Sequence, residues 1–280
     1  MAGTLHIVAT PIGNLEDITL RALRVLREAD LIAAEDTRVT RKLLSHYDIH
    51  TPMIAYHQHS TPKRVGDILA MLAEGKHVAL VSDAGTPGIS DPGHQLIKSC
   101  IERSVNIESV PGPAALITAL VLSGMPTARF TFEGFVPRKA GERAAFFRGL
   151  KRDARTMCLY EAPSRLLKTL KSIDSELGDR PIAVVREATK MFEEVFRGTA
   201  AAAIEHFSQG TVRGEIVIVL HGASPEEVAE SESPTIDLES RLVELIESGL
   251  SKRDAVARCA AELNLPKRRV YAAALKLKKG

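Results

Sequence analysis

The chain has 280 residues, of which 45% are hydrophobic, and its formal net charge at pH 7 is +2. This length and composition predict two domains with apolar cores and exclude a disordered or fibrous protein. The sequence has no signal-peptide pattern and no apolar run of the roughly 18 residues that a membrane helix needs. Three widely separated cysteines, Cys100, Cys158 and Cys259, indicate buried thiols in a reducing compartment, so we expect a cytosolic protein.

Short apolar runs alternate with helical patterns over residues 1–124. The predicted strands are Leu5–Thr10, Leu31–Ala34, Val78–Ser82 and Asn106–Val110. The predicted helices are Thr19–Ala29, Thr61–Glu74, Pro92–Arg103 and Pro113–Leu122. Strands that alternate with helices predict a largely parallel sheet covered by helices on both faces.

A domain boundary is predicted near residue 124, because Gly124 and Pro126 interrupt the pattern. Residues 125–222 then repeat the alternation of β-like runs and helical patterns, and Ser164–Leu177 is one of the helices. The predicted strands of this part are Phe130–Phe135, Thr156–Glu161, Ile182–Glu187 and Glu215–Leu220. The sequence therefore predicts two successive α/β domains.

The last part of the chain has a pronounced charge asymmetry. Residues 223–236 are rich in glutamate, serine and proline, which predicts a flexible acidic linker. Three helical patterns follow, over Asp237–Glu247, Ser251–Glu262 and Pro266–Lys278, and residues 251–280 carry nine basic against two acidic residues. These features favour a helix-turn-helix-like tail over 237–280 that contacts nucleic acid. The alternative is a solvated three-helix bundle that packs on the body.

Three loops rich in glycine, proline and small residues each follow a predicted strand, at 10–14, 83–93 and 111–115. In open α/β sheets, ligands bind beyond the carboxyl ends of the strands. Small residues there allow the backbone to approach a ligand closely. We therefore expect the three loops to form one cleft, although each loop by itself could be only a tight turn.

The class of ligand is narrowed by motifs that the sequence lacks. It has no phosphate-binding P-loop, no dinucleotide fingerprint, no zinc motif and no nucleophile elbow. A loop that contains Asp83 but no lysine suits a positively charged ligand, and S-adenosylmethionine fits. We expect no metal, because His57 and His59 have no third ligand nearby and suit an RNA-facing loop better.

Several segments closely resemble the bacterial rRNA (cytidine-2′-O)-methyltransferases of the tetrapyrrole methylase superfamily. The most specific is the run Asp-Ala-Gly-Thr-Pro-Gly-Ile-Ser-Asp-Pro-Gly at 83–93. The other matching segments are 7–15, 34–38, 110–115, 160–165, 186–190 and 213–215. Tetrapyrrole methylases often have Gly-Gly-Asp where this chain has Asp83-Ala84-Gly85, a departure that argues against a porphyrinoid substrate.

The resemblance implies a two-domain α/β fold with S-adenosylmethionine in the cleft between the domains, and a homodimer. It implies a substrate in the decoding centre of 16S rRNA, cytidine 1402, within the small ribosomal subunit. The cofactor-binding positions that it implies are Pro11, Ile12, Gly13, Asp83, Ala84, Gly85, Gly88, Ala114, Ala115, Glu161 and Ala188.

A ribose hydroxyl is a weak nucleophile, so a general base is expected near it. The candidates in the matching motifs are Glu35, Asp36, Glu187 and Lys190, of which we assign the catalytic role first to Asp36 and Glu187; an ion pair or a helix cap is the alternative for each. Phosphate contacts are expected from basic residues on the surface. The predicted RNA-binding residues are Arg138, Lys139, Lys252, Arg253, Lys267, Arg268 and Arg269, with Arg143, Arg148, Lys151 and Arg152 in support.

Two rival functions stay open on the sequence. A methyltransferase of a tetrapyrrole or another small molecule would use the same loops, but would not need a basic tail. A non-enzymatic nucleic-acid-binding regulator would use the tail, but would not need three ligand loops.

Overall fold

The first sheet has five parallel strands in the order β3-β2-β4-β1-β5. The strands are β1 (Thr4–Val8), β2 (Leu31–Ala34), β3 (Met53–Ala55), β4 (Val78–Val81) and β5 (Asn106–Val110). The computed structural model describes residues 3–58, 60–232, 238–263, 265 and 267–276. The predicted parallel sheet is confirmed, and the sequence missed only the short strand β3.

Five helices follow these strands: α1 (Leu20–Glu28), α2 (Thr37–His46), α3 (Pro62–Ala73), α4 (His94–Glu102) and α5 (Ala115–Ser123). Hydroxyl side chains cap the starts of two of them. Thr19 accepts the Ala22 N–H at 3.1 Å, and Thr61 accepts the Arg64 N–H at 3.3 Å. The helices cover two separate apolar clusters on the two faces of the sheet.

The second sheet is mixed, with the strand order β6-β7-β10-β8-β9. The strands are β6 (Phe130–Phe135), β7 (Thr156–Glu161), β8 (Ile182–Arg186), β9 (Glu194–Gly198) and β10 (Ile216–Leu220). Only β6 and β7 are parallel, and the other neighbours are antiparallel. The helices α6 (Ala140–Leu150), α7 (Leu166–Leu177) and α8 (Ala200–Phe207) pack on one face around Phe147 and Leu170.

Helix α5 follows β5 of the first sheet in the chain and packs against the second sheet. Its residues Ala119 and Leu120 are buried against Cys158, Val185 and Val217 of the second sheet. Its sequence is almost entirely apolar, but Ile117 and Val121 are exposed, at 46% and 67%. Residues up to 151 and 155–222 form a single compact unit that contains both predicted α/β domains.

A second compact unit contains residues 152–154 and the chain from residue 223 onward. Its helices are α9 (Pro225–Glu232), α10 (Leu238–Glu247), α11 (Lys252–Glu262) and α12 (Lys267–Lys276). The last three share an apolar core that includes Leu242, Val256 and Val270. Ser251 accepts the Asp254 N–H at 3.2 Å and caps the start of α11.

The prediction of an irregular linker over 223–236 is wrong for Pro225–Glu232, which form helix α9. The reason is a capping box, in which two residues satisfy each other's backbone N–H groups. The Ser224 N–H donates to the Glu227 carboxylate at 2.7 Å, and the Glu227 N–H donates to the Ser224 hydroxyl at 3.2 Å. The rest of the predicted linker and Pro266 lie outside the described residues.

Two simple predictions can be checked directly. Cys100, Cys158 and Cys259 are buried free thiols, as expected. Within the described part of the chain, no helix combines the length and the apolar character that crossing a bilayer requires.

Candidate active site

A cavity of about 300 Å³ lies where the loops after β1, β4 and β5 meet residues of β7, β8 and β10. The three strands are neighbours in the parallel sheet, so their carboxyl ends bring the three predicted ligand loops together. The predicted cofactor-binding residues that line this cavity are Ile12, Ala84, Gly85, Ala114, Ala115, Glu161 and Ala188. The sequence thus identified loops that converge in space.

The other predicted cofactor-binding residues lie beside the cavity. Pro11 and Asp83 line a second cavity of about 200 Å³, together with Thr10 and Ser82. Gly13 and Gly88 line neither of these two cavities. Their contribution is to the shape of the loops.

The loops after β1 and β4 are joined by two backbone hydrogen bonds. The Thr10 N–H donates to the Gly85 carbonyl at 2.9 Å, and the Gly85 N–H donates to the Thr10 carbonyl at 3.0 Å. Gly85 has φ +79°, a left-handed conformation that glycine adopts without steric cost. This pairing holds Ile12 and Ala84 at the cavity.

A turn with unusual backbone conformation forms another part of the wall. Glu187 and Thr189 have φ values of 52° and 67°, which side-chain-bearing residues rarely adopt. Between them, Ala188 lines the cavity. A Cβ atom on Gly13 would lie 2.9 Å from the Thr189 hydroxyl and 3.0 Å from the Ala188 carbonyl, so the first loop has no room for a side chain there.

Glu161 brings a buried carboxylate to the cavity wall, with 1% of its side chain exposed. It accepts hydrogen bonds from the Ala162 N–H at 2.7 Å and from the Thr169 hydroxyl at 2.5 Å, and it pairs with Arg165. These partners satisfy the charge that burial would otherwise make costly. The carboxylate is therefore fixed in one orientation at the end of β7.

The first turn of α5 faces the same cavity through Ala114, Ala115 and Leu116. Ala114 occupies the cap position, and no side chain caps this helix. The N–H groups of an uncapped first turn are donors and favour negative charge or lone pairs. The Tyr160 phenol also lines the cavity and interacts with the Leu116 backbone of this turn, and burial raises the pKa of Tyr160 to about 12.

Acidic groups gather around the cavity, and the sequence assigned no role to two of them, Asp91 and Glu215. Asp91 and Glu215 line it, and Glu35 and Asp83 lie close enough to act on Asp91. Burial raises the pKa of Asp91 to about 7, and it also raises the pKa values of Glu35 and Asp83. Asp91 belongs to the most specific motif of the sequence, residues 83–93, but the cofactor-binding residues predicted from that motif extend only from Asp83 to Gly88.

The predicted bases Asp36 and Glu187 each have a partner and line neither cavity. Asp36 caps α2 and holds Arg38 in an ion pair of 2.6 Å, and the hydrogen bonds from Arg38 lower the pKa of Asp36 to about 2. Glu187 accepts hydrogen bonds from Lys190 at 2.8 Å and from the Glu215 N–H at 3.0 Å. The hydrogen bond from Lys190 lowers the pKa of Glu187.

Most of the predicted RNA-binding residues are exposed. Arg138 and Lys139 lie between β6 and α6, where Lys139 pairs with Glu142 at 2.8 Å. In the other unit, the exposed basic residues at the starts of α11 and α12 are Lys252, Arg253, Lys267 and Arg268. The side chain of Arg269 lies outside the described residues.

Two of the supporting basic residues form hydrogen bonds or ion pairs with other residues of this chain. Arg143 is 8% exposed and donates to the Ser172 hydroxyl at 3.0 Å and to the Arg138 carbonyl at 3.1 Å. The expectation that Arg143 contacts phosphate is therefore wrong, because its guanidinium is buried against α7. Arg148 pairs with Glu176 at 3.2 Å.

No group of three potential metal ligands occurs among the residues that the structure describes. His57 is exposed, and His59 lies outside the described residues.

The fold and the cavity can be compared with known proteins. A family model described as Tetrapyrrole (Corrin/Porphyrin) Methylases matches residues 4–204. Among solved structures, the cobalt precorrin-4 methyltransferase CbiF is 21% identical, with a TM-score of 0.60 over 78% of this chain and 94% of that chain. Uroporphyrin-III C-methyltransferase from Thermus thermophilus, complexed with S-adenyl homocysteine, is 21% identical, with a TM-score of 0.54 over 82% of this chain and 100% of that chain. The chain belongs to the tetrapyrrole methylase family.

Curated relatives identify the branch of that family. The Synechocystis protein named Ribosomal RNA small subunit methyltransferase I is 46% identical over 98% of both chains. Proteins of the same name from Bacillus subtilis and Thermotoga maritima are 42% and 49% identical; the matches cover 96% and 79% of this chain, and 93% and 99% of those proteins. Within the family, the chain belongs with the ribosomal RNA small subunit methyltransferase I proteins. The predicted resemblance and fold class are confirmed.

Proposed function

We propose that this chain transfers a methyl group from S-adenosylmethionine to the ribose 2′-oxygen of a cytidine in 16S rRNA, cytidine 1402 of the decoding centre. The observation that carries the proposal is the 46% identity over 98% of the chain to a protein named as a small-subunit rRNA methyltransferase. The motifs that resemble the cytidine-2′-O-methyltransferases supply the target nucleotide and atom.

The cavity suits S-adenosylmethionine in size, shape and charge. Ala84, Gly85 and Ala115 leave space for a ligand against the backbone, and the uncapped first turn of α5 offers N–H donors to its polar groups. The carboxyl group of Glu215 complements a positively charged sulfonium or ammonium. When bound, S-adenosylmethionine supplies an electrophilic methyl group, and the protein's part is to align the acceptor and exclude water.

Basic residues provide the affinity for rRNA. Exposed Arg138 and Lys139 in one unit, and the basic starts of α11 and α12 in the other, suit contacts to phosphates. Phosphate contacts supply most of the sequence-independent affinity for nucleic acid. A tetrapyrrole substrate would need no such surface, so the basic residues favour rRNA over that alternative.

The resemblance also implies an oligomeric state and a cellular location. As the resemblance implies, the chain acts as a homodimer on the small ribosomal subunit in the cytoplasm. The molar mass of the purified protein in solution distinguishes a dimer from a monomer.

The direct test is methyl transfer with labelled S-adenosylmethionine to small ribosomal subunits from cells that lack this protein. The expected product is one alkali-resistant phosphodiester at the target cytidine, because a methylated 2′-oxygen cannot attack the neighbouring phosphate. Two tryptophan variants test the cavity. Ala115→Trp should fill it and abolish cofactor binding. Ala145→Trp adds the same side chain to an exposed site on α6 and leaves binding unchanged.

Three outcomes would contradict the proposal. A methyl mark on a base, or an alkali-labile mark, would overturn the 2′-oxygen assignment alone. Transfer to a tetrapyrrole but not to subunits would restore the small-molecule alternative. Binding of rRNA without any transfer would favour the non-enzymatic alternative.

A further inference from the structure

The loop that follows β4 is folded so that Asp91 returns to the cavity. Gly85, Gly88 and Gly93 have positive φ values of 79°, 86° and 145°, and Ser90, directly before Asp91, has φ 62°. A serine in this conformation is strained, and strain of this kind persists where the surrounding structure enforces it, often at functional sites. The consequence is that Asp91 lines the cavity together with Ala84 and Gly85 from the start of the same loop.

The groups around Asp91 come from its own loop and from three other places in the fold. Glu35 at the end of β2, Asp83 after β4 and Glu215 before β10 act on it with negative charge, and the Tyr160 phenol of β7 also senses it. Burial and these carboxylates raise the pKa of Asp91 to about 7, whereas a hydrogen bond with Ser82 acts in the opposite direction. Like charges around a half-buried carboxyl disfavour its ionised form.

The pKa of Asp91 is raised, whereas the pKa values of the two bases that the sequence suggested are lowered. Asp36 and Glu187 are held by cations, which lower their pKa values, and neither lines the cavity. A carboxylate with a very low pKa is a weak proton acceptor, and general bases work best with a pKa near the operating pH. Asp91 therefore meets both requirements, position at the cavity and a suitable proton affinity.

We propose that Asp91 is the general base that accepts the proton of the ribose 2′-hydroxyl during methyl transfer. The inference rests on the proposed function. The carboxylate of Asp91 takes the hydroxyl proton while the 2′-oxygen forms a bond to the methyl carbon. The carbon–sulfur bond breaks, its electron pair goes to sulfur and cancels the sulfonium charge, and the proton on Asp91 then passes to water.

The test compares Asp91→Asn, which keeps the shape but not the base, with the exposed control Asp67→Asn on α3. Single-turnover transfer to small subunits is measured from pH 5.5 to 9, together with S-adenosylhomocysteine affinity by calorimetry. The wild-type rate is expected to rise tenfold per pH unit and to level off near pH 7. Asp91→Asn should lower the plateau rate by about 10²-fold or more and remove the rising limb. The affinity should change less than threefold, and Asp67→Asn should resemble the wild type.

A second measurement does not depend on activity. A carboxyl with a raised pKa in the folded state holds a proton that the unfolded chain releases, so the free energy of unfolding falls as the pH rises through that window. From about pH 4 to about 7, the wild type should lose stability relative to Asp91→Asn, and the difference should be constant above pH 7. Urea unfolding at several pH values measures it. A pH-independent difference would show that Asp91 does not hold the proton.

The remaining outcomes separate this inference from the proposed function. If the wild type methylates subunits and Asp91→Asn keeps its rate and pH profile, the base assignment is wrong and the function stands. A large loss of S-adenosylhomocysteine affinity in Asp91→Asn would also overturn it, since the role would then be cofactor binding. If Asp36→Asn or Glu187→Gln removes the rising limb instead, the base lies there. Asp91→Glu, which retains a carboxylate, should recover part of the rate if Asp91→Asn proves unstable.

Discussion

Glu161 is the most enclosed of the three carboxylates that line the large cavity. Its oxygens already accept from Ala162, Thr169 and Arg165. This network explains how the carboxyl group can be buried at the cavity wall, and it shows that the residue has a structural role besides any contact with the cofactor. The two roles can be separated by mutation.

Glu161→Gln should lower the free energy of unfolding by roughly 3 kcal/mol, because removal of one partner leaves the partly buried Arg165 as an uncompensated charge. It should also weaken cofactor binding, since the side chain forms part of the cavity wall. Thr169→Val is the matched control, because Thr169 contacts the same carboxylate but does not line the cavity. It should cost about 1 kcal/mol with cofactor affinity unchanged. Urea unfolding and calorimetry measure both quantities; equal affinity losses in the two variants would refute a direct contact.

Individual side-chain roles were the hardest feature to predict from the sequence. The motif around Asp36 left a general base and an ion pair or helix cap as alternatives, and the structure shows the cap of α2 with the ion pair to Arg38. Asp91 was visible in the quoted run, but its surroundings come from residues 56 positions before it and 124 positions after it. A pKa depends on such surroundings, so it cannot be obtained from a local pattern.

The loop after β1 is an element whose shape depends on contact with a distant turn. Gly13→Ala should force that loop away from Ala188 and Thr189, because the added Cβ atom has backbone and side-chain atoms at 3.0 Å and 2.9 Å. We expect lower stability and at least tenfold weaker cofactor binding. The matched change is Gly66→Ala on α3, where nothing lies within 4 Å of the new Cβ atom.

Gly66→Ala should stabilise the protein by about 1 kcal/mol, because alanine has the higher helix propensity, and leave cofactor affinity unchanged. Thermal unfolding followed by circular dichroism, with calorimetry for the cofactor, compares the pair. Opposite signs of the two stability changes are the expected signature. Wild-type affinity in Gly13→Ala would show that the loop does not position the cavity.

Elements with apolar runs or clear caps were predicted well, and polar elements were not. Leu31–Ala34, Asn106–Val110, Phe130–Phe135 and Thr156–Glu161 have the predicted bounds. The sequence missed α2, whose ten residues include two threonines and a valine, and β9, an edge strand with two charged residues among five. Such segments obtain their stability from neighbours rather than from their own periodicity.

The residues that line the cavity all lie in one compact unit, and the C-terminal helices form a second unit with its own apolar core. A chain that ends at residue 236 should therefore bind S-adenosylmethionine with wild-type affinity. It should bind rRNA more weakly and with a shallower salt dependence. If Lys252, Arg253, Lys267 and Arg268 each contact a phosphate, the slope of log K against log[salt] should fall by about 3.

Filter binding at four salt concentrations measures that slope, and calorimetry measures the cofactor. A truncated chain that methylates subunits with wild-type efficiency would show that the tail is not a substrate arm. The role of the tail also matters for the comparison with the Thermotoga maritima relative, because that match extends over 99% of the relative but only 79% of this chain.

The sequence alone determined the family, the two α/β parts, the three ligand loops and the charge of the tail. These properties are encoded locally, in apolar periodicity, in glycine and proline at strand ends and in one long specific motif. The tertiary structure decided that α5 packs against the second sheet, that the Glu187–Thr189 turn closes on Gly13, and that Asp91 rather than Asp36 lies at the cavity. The physical reason is that burial, charge and available space at a site are set by groups far apart in the chain, which only the folded structure brings into contact.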